Sequence, residues 1–353
     1  MGEKKIVNKH KLKELMNLDI KDIKINFNKK DKKTKVYNNK NIISFDIDEE
    51  LIHIVEGKYH KNTLTLNKMI DVPTPANSIN DGNIINEEII IDAIQDALEE
   101  NKIKSKYASF TTNSTLLINR EMIIPVVKED EIETVINFEI SQYLPINLQD
   151  YIIQTIILEE IEVNGVDKLK VNTTCYPKKI ANSYYNIIKE LNLKPYTLDI
   201  KPNSLKKLIR YSQEINGGEY NIENTNVFVD IGPLTTDINI YKSVEMDFTR
   251  IVKFGYKHME KYKDQNYGID YLIEEIEKIF QFYKNKNRSN RVDKVYLLGR
   301  GSRLDGLDKY VFNKIDIDVE CVDNIGYLEY KNKSIDDEEI YKYINAIGTI
   351  IRL

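Results

Sequence analysis

Short runs of β-branched and aromatic residues, broken by Gly, Pro, Asn or Asp, alternate along this chain with longer stretches whose apolar residues recur every three or four positions. The first kind of pattern predicts a strand–turn–strand over Ile42–Val55. A further strand from Leu64 to Val72 is closed by Pro73-Thr74-Pro75 and a turn through Gly82. The second kind predicts a helix over Ile84–Glu100, with Ile84, Ile85, Ile89, Ile91, Ala93, Ile94, Ala97 and Leu98 largely on one side and acid in its first turn. Tyr107–Thr112 reads as a short strand and Leu116–Pro125 as another. A helix opens near Lys128–Glu131, runs over Ile132–Leu144 and stops at Pro145, which cannot continue the ladder. Strands Tyr151–Glu162 and Lys168–Thr174 are joined by Asn164-Gly165, a hairpin turn.

Beyond these, a helix from Pro177 to Leu191 leads to a strand Leu193–Ile200. A helix Asn203–Ile215 is then ended by Asn216-Gly217-Gly218. Val227–Tyr241 is a hairpin, Tyr271–Lys284 a long amphipathic helix with Leu272, Ile273, Ile276, Ile279, Phe280 and Tyr283 inward, and Lys294–Leu298 a strand. Glu338–Arg352 carries apolar residues at helical spacing. The order predicts an α/β protein of two lobes. Residues 1–40 form a basic arm; 41–113 and 175–215 build the first lobe around an inserted α+β subdomain, 114–174. Residues 216–335 form the second lobe, and 336–353 a helix returning to the first.

A chain of 353 residues with 41% hydrophobic content can bury a large core, and a net charge of −5 gives the whole molecule no strong preference for nucleic acid. The local balance differs: residues 1–40 hold thirteen Lys against five Asp or Glu and read as a solvated arm, or as a contact for anionic lipid headgroups. Cys175 and Cys321 are far apart and lack metal-ligand spacing, which fits a reducing compartment. His10, His53, His60 and His258 are scattered and receive no chemistry. Neither a signal peptide nor a run of eighteen apolar residues is visible.

Candidate chemistry lies in three loops. In Val227–Tyr241, Gly232 lets backbone N–H groups approach an oxyanion, Thr235 and Thr236 add hydroxyls, and Asp230 stands at the strand end. Lys294–Leu307 is a strand, a Gly299-Arg300-Gly301-Ser302 turn and a helix start, where a nucleotide could lie. In order and spacing these resemble the second phosphate loop and the adenosine loop of the actin, Hsp70 and sugar-kinase superfamily. The turn after Asp46 occupies the place of the first phosphate loop, but Asp48-Glu49-Glu50 fills it with three carboxylates and no glycine. That charge repels a triphosphate.

The segment Val135–Tyr151, with its acid-aromatic helix and Tyr143-Leu144-Pro145 turn, resembles the PilM family of type IV pilus assembly. So do Ala181–Ile200, Met246–Arg250, Glu274–Lys278, Leu298–Ser302 and the terminal Ala346-Ile347-Gly348-Thr349-Ile350-Ile351-Arg352, over about residues 41–353. The resemblance implies an actin-like, ribonuclease H-like two-lobe ATPase fold with the inserted subdomain of the cell-division actin relatives. It also implies ATP and Mg²⁺ between the lobes and, as partner, the N-terminal cytoplasmic tail of a PilN-like membrane protein. By that resemblance Asp46 and Asp230 would order Mg²⁺ through water, Gly232, Thr235 and Thr236 would meet phosphates, and Gly299, Gly301 and Ser302 would pack on adenosine. Glu275 and Lys278 would reach ribose and base.

Residue-level alternatives stand beside these roles: turn caps for Asp46 and Asp230, and a surface i,i+3 ion pair for Glu275 and Lys278. The altered turn, Pro233-Leu234 after Gly232, Phe254-Gly255-Tyr256 and the Gly299-Arg300-Gly301 interruption add bulk or charge where phosphate should sit; Arg300 could compensate by pairing a phosphate, although an Arg in a loop is more often solvated. The expectation is a scaffold of the inner-membrane pilus platform, at the cytoplasmic face, with a degenerate nucleotide cleft and very weak or no ATPase activity. It contacts other platform proteins, has no span of its own, and homo-oligomerisation stays open. Phe138 and Tyr143 are expected in the core. The alternatives are an active Mg-ATP-binding ATPase or small-molecule kinase of the superfamily, and an actin-like cytoplasmic component of a type II secretion platform.

Overall fold

A computed structural model describes residues 39–128, 130–143, 146–261, 267–286, 291–331 and 339–352. The basic arm up to residue 38, the helix end at Leu144-Pro145 and the helix start at Glu338 lie outside the described residues. The chain divides into two units, one of which contains Leu116–Asn182.

In that unit the strands Ile118–Pro125, Val166–Pro177 and Tyr151–Val163 pair antiparallel in this spatial order, so the last to form in sequence lies in the middle. Asn164 and Gly165, at φ 55° and 74°, turn the hairpin in the left-handed region that an Asn-Gly pair tolerates. Helix Ile132–Tyr143 buries Ile136 and Ile140, one helical turn apart, against Met122, Ile124, Leu169, Val171 and Cys175.

The other unit contains two sheets of the same design. In the first, Ile42–Ile47, Leu51–His60 and Thr63–Pro73 form an antiparallel meander, and Tyr107–Thr112 and Lys194–Ile200 add parallel to the outer side of its first strand. In the second, Thr225–Ile231, Thr236–Lys242 and Glu245–Val252 form the meander, and Lys294–Leu298 and Asp318–Cys321 add in parallel. Leu328–Tyr330 pairs with Thr63–Pro73 and so extends the first sheet. The leading strand of each sheet is buried along its whole length, its polar residues Ser44, Asp46, Thr225, Asn226 and Asp230 included. Between the sheets, helix Lys201–Ser212 contributes Leu205, Leu208 and Ile209 to a core that includes Ile42 and Val55 from one sheet and Phe228, Tyr241 and Tyr296 from the other. Helix Tyr267–Lys286 covers the far face of the second sheet with Leu272, Ile273, Ile276 and Ile279.

The helix expected over Tyr271–Lys284 begins earlier, at Tyr267, and three others differ in bounds for identifiable reasons. The helix expected from Ile84 spans Glu87–Glu100, because the Asn86 side chain accepts from Ile89 N at 3.4 Å and caps it there. Ile84 instead pairs with Ile79 in a short ladder, and Ile85 is 58% exposed. The helix expected over Asn203–Ile215 spans Lys201–Ser212, with Pro202 in its first turn. Gln213 turns left-handed, and Glu214–Ile215 pairs with Gly218–Glu219 across Asn216-Gly217, so that Asn-Gly is a hairpin signal here and not a helix stop. The C-terminal stretch is a turn, Ile340–Lys342, and a short helix, Ile344–Gly348. Its apolar residues are buried on every side rather than along one stripe. A Cβ on Gly348 would lie 2.6 Å from the Ser204 carbonyl carbon, so this glycine permits the short helix to press on Lys201–Ser212.

Candidate functional site

The ends of the two leading strands bring the first hairpin turn, the second hairpin turn, the glycine turn and the start of helix Lys201–Ser212 together. Asp46 ends the first strand and is 2% exposed. In the turn that follows, Asp48 Oδ1 accepts the backbone N–H of Glu50 at 2.7 Å and of Leu51 at 2.8 Å. The N–H groups that a glycine loop would offer to a phosphate are thus taken by the turn's own carboxylate. Burial alone would raise the Asp48 pKa, but the neighbouring His53 and the Leu51 N–H lower it overall. Glu49 accepts the N–H of Asp81 at 3.2 Å. Glu50 accepts from the Tyr256 hydroxyl and pairs with Lys257 Nζ at 2.5 Å and Arg300 at 2.6 Å. Every acidic residue of the turn therefore has a partner inside the chain.

Asp46 faces Lys201, whose Nζ lies 3.3 Å from Asp46 Oδ1. Burial would lower the Lys201 pKa, but the charges of Asp46, Asp230, Asp237 and Asp48 raise it well above the usual lysine value, so the ammonium is charged. One ammonium cannot neutralise all of these carboxylates. Burial raises the pKa of Asp46 against the pull of Lys201, and it pushes Asp237 up to about 7. Asp230 is held by Asn345 Nδ2 at 2.7 Å, a buried contact from the short C-terminal helix.

Several residues expected around nucleotide make contacts within the chain. Gly232 N–H donates to the Thr235 carbonyl at 2.9 Å, and the Gly232 carbonyl accepts from Tyr256 N–H at 2.9 Å. The Thr236 hydroxyl, fully buried, donates to the Phe254 carbonyl at 2.7 Å, and the Ser302 hydroxyl donates to Gly299 O at 2.7 Å. Gly299 has φ 76°, and a Cβ there would meet Asp230 and the Ile231 backbone; one on Gly301 would meet Ile231 Cβ at 2.8 Å. These glycines allow the turn to pack on the strand end. Glu275 and Lys278 pair with each other at 2.7 Å on helix Tyr267–Lys286, with Lys278 63% exposed.

The Mg²⁺ that the resemblance implies would be held through water by Asp46 and Asp230, so it asks for no direct ligands from them. Asp46 is directed at an internal ammonium, Asp230 at an amide, and no group of three or more His, Cys, Asp or Glu able to hold a metal occurs among the described residues. The sequence pattern missed Lys201, at the junction of a strand and a helix, and Asp237, although Asp237 directly follows Thr235 and Thr236. For Arg300 it offered either solvent or a phosphate, where the structure pairs it with Glu50.

In the unit containing Leu116–Asn182, Phe138 is 64% exposed and Tyr143 57% exposed, contrary to the expectation of core positions. The helix buries its Ile136 and Ile140 stripe, and Phe138 lies about 200° around the helix from Ile136. Arg120 stacks over Tyr143 at 4.6 Å from the ring centre, and Ile123 and Val126 are also exposed.

The model of the family described as "Type IV pilus assembly protein PilM" matches residues 44–279 and 269–352. Among solved structures, the chain is similar to one titled as a PilM-PilN type IV pilus biogenesis complex. The identity is 17% and the TM-score 0.75, over 88% of this chain and 97% of that one. It is more distantly similar to the ethanolamine utilization protein EutJ of Carboxydothermus hydrogenoformans, at 13% identity and TM-score 0.47 over 88% of each chain. The cytoplasmic domain of EpsL, an inner membrane component of the Vibrio cholerae type II secretion system, gives 6% identity and TM-score 0.46 over 89% of this chain and 96% of that one.

Proposed function

The chain belongs to the type IV pilus assembly protein PilM family, and from that premise we propose that it is an actin-like scaffold of the pilus assembly platform which grips the N-terminal cytoplasmic tail of a PilN-like membrane protein. The observation that carries this reading is the solved PilM-PilN complex to which the chain is similar along 88% of its length. The unit containing Leu116–Asn182 supports it chemically. Phe138, Tyr143, Ile123 and Val126 are exposed apolar side chains on one small unit, and Ile118–Pro125 and Tyr151–Val163 are the edge strands of its sheet. An extended tail can use both kinds of contact, sheet-edge hydrogen bonds for affinity and apolar pockets for specificity. No helix among the described residues is long and apolar enough to cross a membrane, and in this reading the partner tethers the chain to the inner face of the membrane.

The cleft between the two sheets serves, in this reading, as architecture without turnover, since the hydroxyls of Thr236 and Ser302 and the N–H groups of Gly232, Glu50 and Leu51 are engaged within the protein. Titration calorimetry with a synthetic peptide of the N-terminal tail of a PilN-like protein from the same genome tests the first claim, and phosphate release under millimolar Mg-ATP tests the second. Peptide binding without phosphate release is expected. Turnover of Mg-ATP by the purified chain, with no peptide binding, would establish the enzyme instead.

A further inference from the structure

We propose that the cleft is self-liganded: Lys201 supplies the positive charge that a divalent cation would bring, Glu50 supplies the negative charge that nucleotide phosphates would bring, and together they hold the two sheets closed with no nucleotide. This deepens the reading of the cleft and is independent of the partner peptide.

The geometry comes from three elements. Lys201 is the first residue of its helix, and its side chain is only 18% exposed. Its Nζ reaches Asp46 at the end of the first sheet's leading strand, and it lies in the field of Asp230 and Asp237 from the second sheet. One ammonium thus offsets carboxylates from both sheets, which would otherwise repel across the cleft. Glu50 works in the opposite sense. It projects from the first sheet's hairpin turn and gathers Tyr256 and Lys257 from the helix after the second sheet's meander, together with Arg300 from the glycine turn. The Arg300 guanidinium also stacks on Tyr256 at 5.4 Å from the ring centre, which fixes the donor side of the pair. Asp48 completes the arrangement by taking the turn's own N–H groups.

The Glu50 cluster spans the cleft, and the Lys201–Asp46 pair sets an ammonium in the field of the second sheet's carboxylates, so closure is independent of any ligand. A Mg-nucleotide would have to displace Glu50 from two cations and bring further positive charge beside Lys201. Unlike-charged partners already in place raise the local concentration of competitor far above that of dissolved nucleotide.

The test is hydrogen exchange over residues 253–260, with calorimetric titration of Mg-ATP, on the full chain and on Glu50→Gln. In the wild type, millimolar Mg-ATP is expected to leave exchange unchanged and to give no binding heat. Glu50→Gln is expected to exchange about tenfold faster in this segment, from loss of a cross-cleft contact, and to gain measurable Mg-ATP affinity as Lys257 and Arg300 are released. Lys201→Met should likewise speed exchange. If it fails to fold, Glu50→Gln alone decides, because Glu50 is partly exposed and its loss leaves no buried unpaired charge. Micromolar binding of Mg-ATP by the wild type, or exchange in Glu50→Gln equal to wild type, would overturn the proposal. Peptide binding is measured separately, so a failed partner reading and a failed cleft reading give different results.

Discussion

His53 Nδ1 lies 2.7 Å from Asp71 Oδ1, a hydrogen bond between neighbouring strands of the first sheet that fixes a histidine only 4% exposed. Its other ring nitrogen stands 3.8 Å from Asp48, close enough to act through charge, and Tyr343 packs on the ring edge-on at 5.5 Å. Asp71 in turn pairs with Lys342 at 3.5 Å. Asp48 accepts the N–H groups of the first hairpin turn, so His53 bears on that turn through Asp48.

Burial alone would lower the His53 pKa, but Asp48 and Asp71 outweigh it and raise it from 6.5 to about 9. A histidine raised in the folded state stabilises fully below its unfolded value, and that contribution is lost as pH rises through the folded value. Thermal or urea denaturation should therefore show stability falling between pH 6.5 and 9, by up to about 1.4 kcal/mol per pH unit. His53→Gln should flatten that slope. An unchanged slope in the variant would show that the histidine is not the titrating group.

Asp237 carries the opposite sign. Burial raises its pKa from 3.8 to about 7, so its ionised form is disfavoured in the folded state and its destabilising effect grows as pH rises from 3.8 to 7. Asp237→Asn should raise the melting temperature at pH 8 by about 3 °C or more, with the gain shrinking toward pH 4. A loss of stability at pH 8 would mean that attraction to Lys201 dominates at this position.

Phe138 is exposed on a helix whose buried stripe it does not share. Phe138→Ala should change unfolding free energy by no more than about 0.5 kcal/mol, while weakening binding of the PilN-like tail peptide about tenfold or more if the residue anchors it. Equal affinity for both proteins would place the anchor elsewhere.

Gly299 distinguishes packing from nucleotide contact. With φ 76° and the Asp230 side chain and Ile231 backbone beside it, any Cβ is strained and crowded in the protein alone. Gly299→Ala should destabilise the chain by about 2 kcal/mol or more in the absence of any nucleotide. A variant as stable as wild type would show that the turn can move away from the strand.

Much of the architecture was legible in the residues. Leading strands such as Ile42–Ile47 and Thr225–Ile231 are rich in apolar residues because they are buried on both faces, and Asn164-Gly165 carries its turn geometry in its own chemistry. Helix bounds were less legible where local signals compete. Asn216-Gly217 can stop a helix or turn a hairpin, and contacts of Ile215 with Ile325 and of Asn216 with Glu320 and Cys321 favour the second. The terminal Ile344–Ile351 run has helical spacing by count, yet burial on all sides divides it.

At the cleft, the chain order by itself determined which loops are present and that Asp48-Glu49-Glu50 stands where glycine would serve phosphate, because these are properties of adjacent residues. Only the tertiary structure decided what those charges do. Glu50 meets Arg300 across 250 positions and Asp230 meets Asn345 across 115, distances over which no periodicity carries information. Three carboxylates in a row read as repulsion until their partners are known. Folding supplies Lys257, Arg300 and the turn's own N–H groups, and the same charges become paired contacts within the chain.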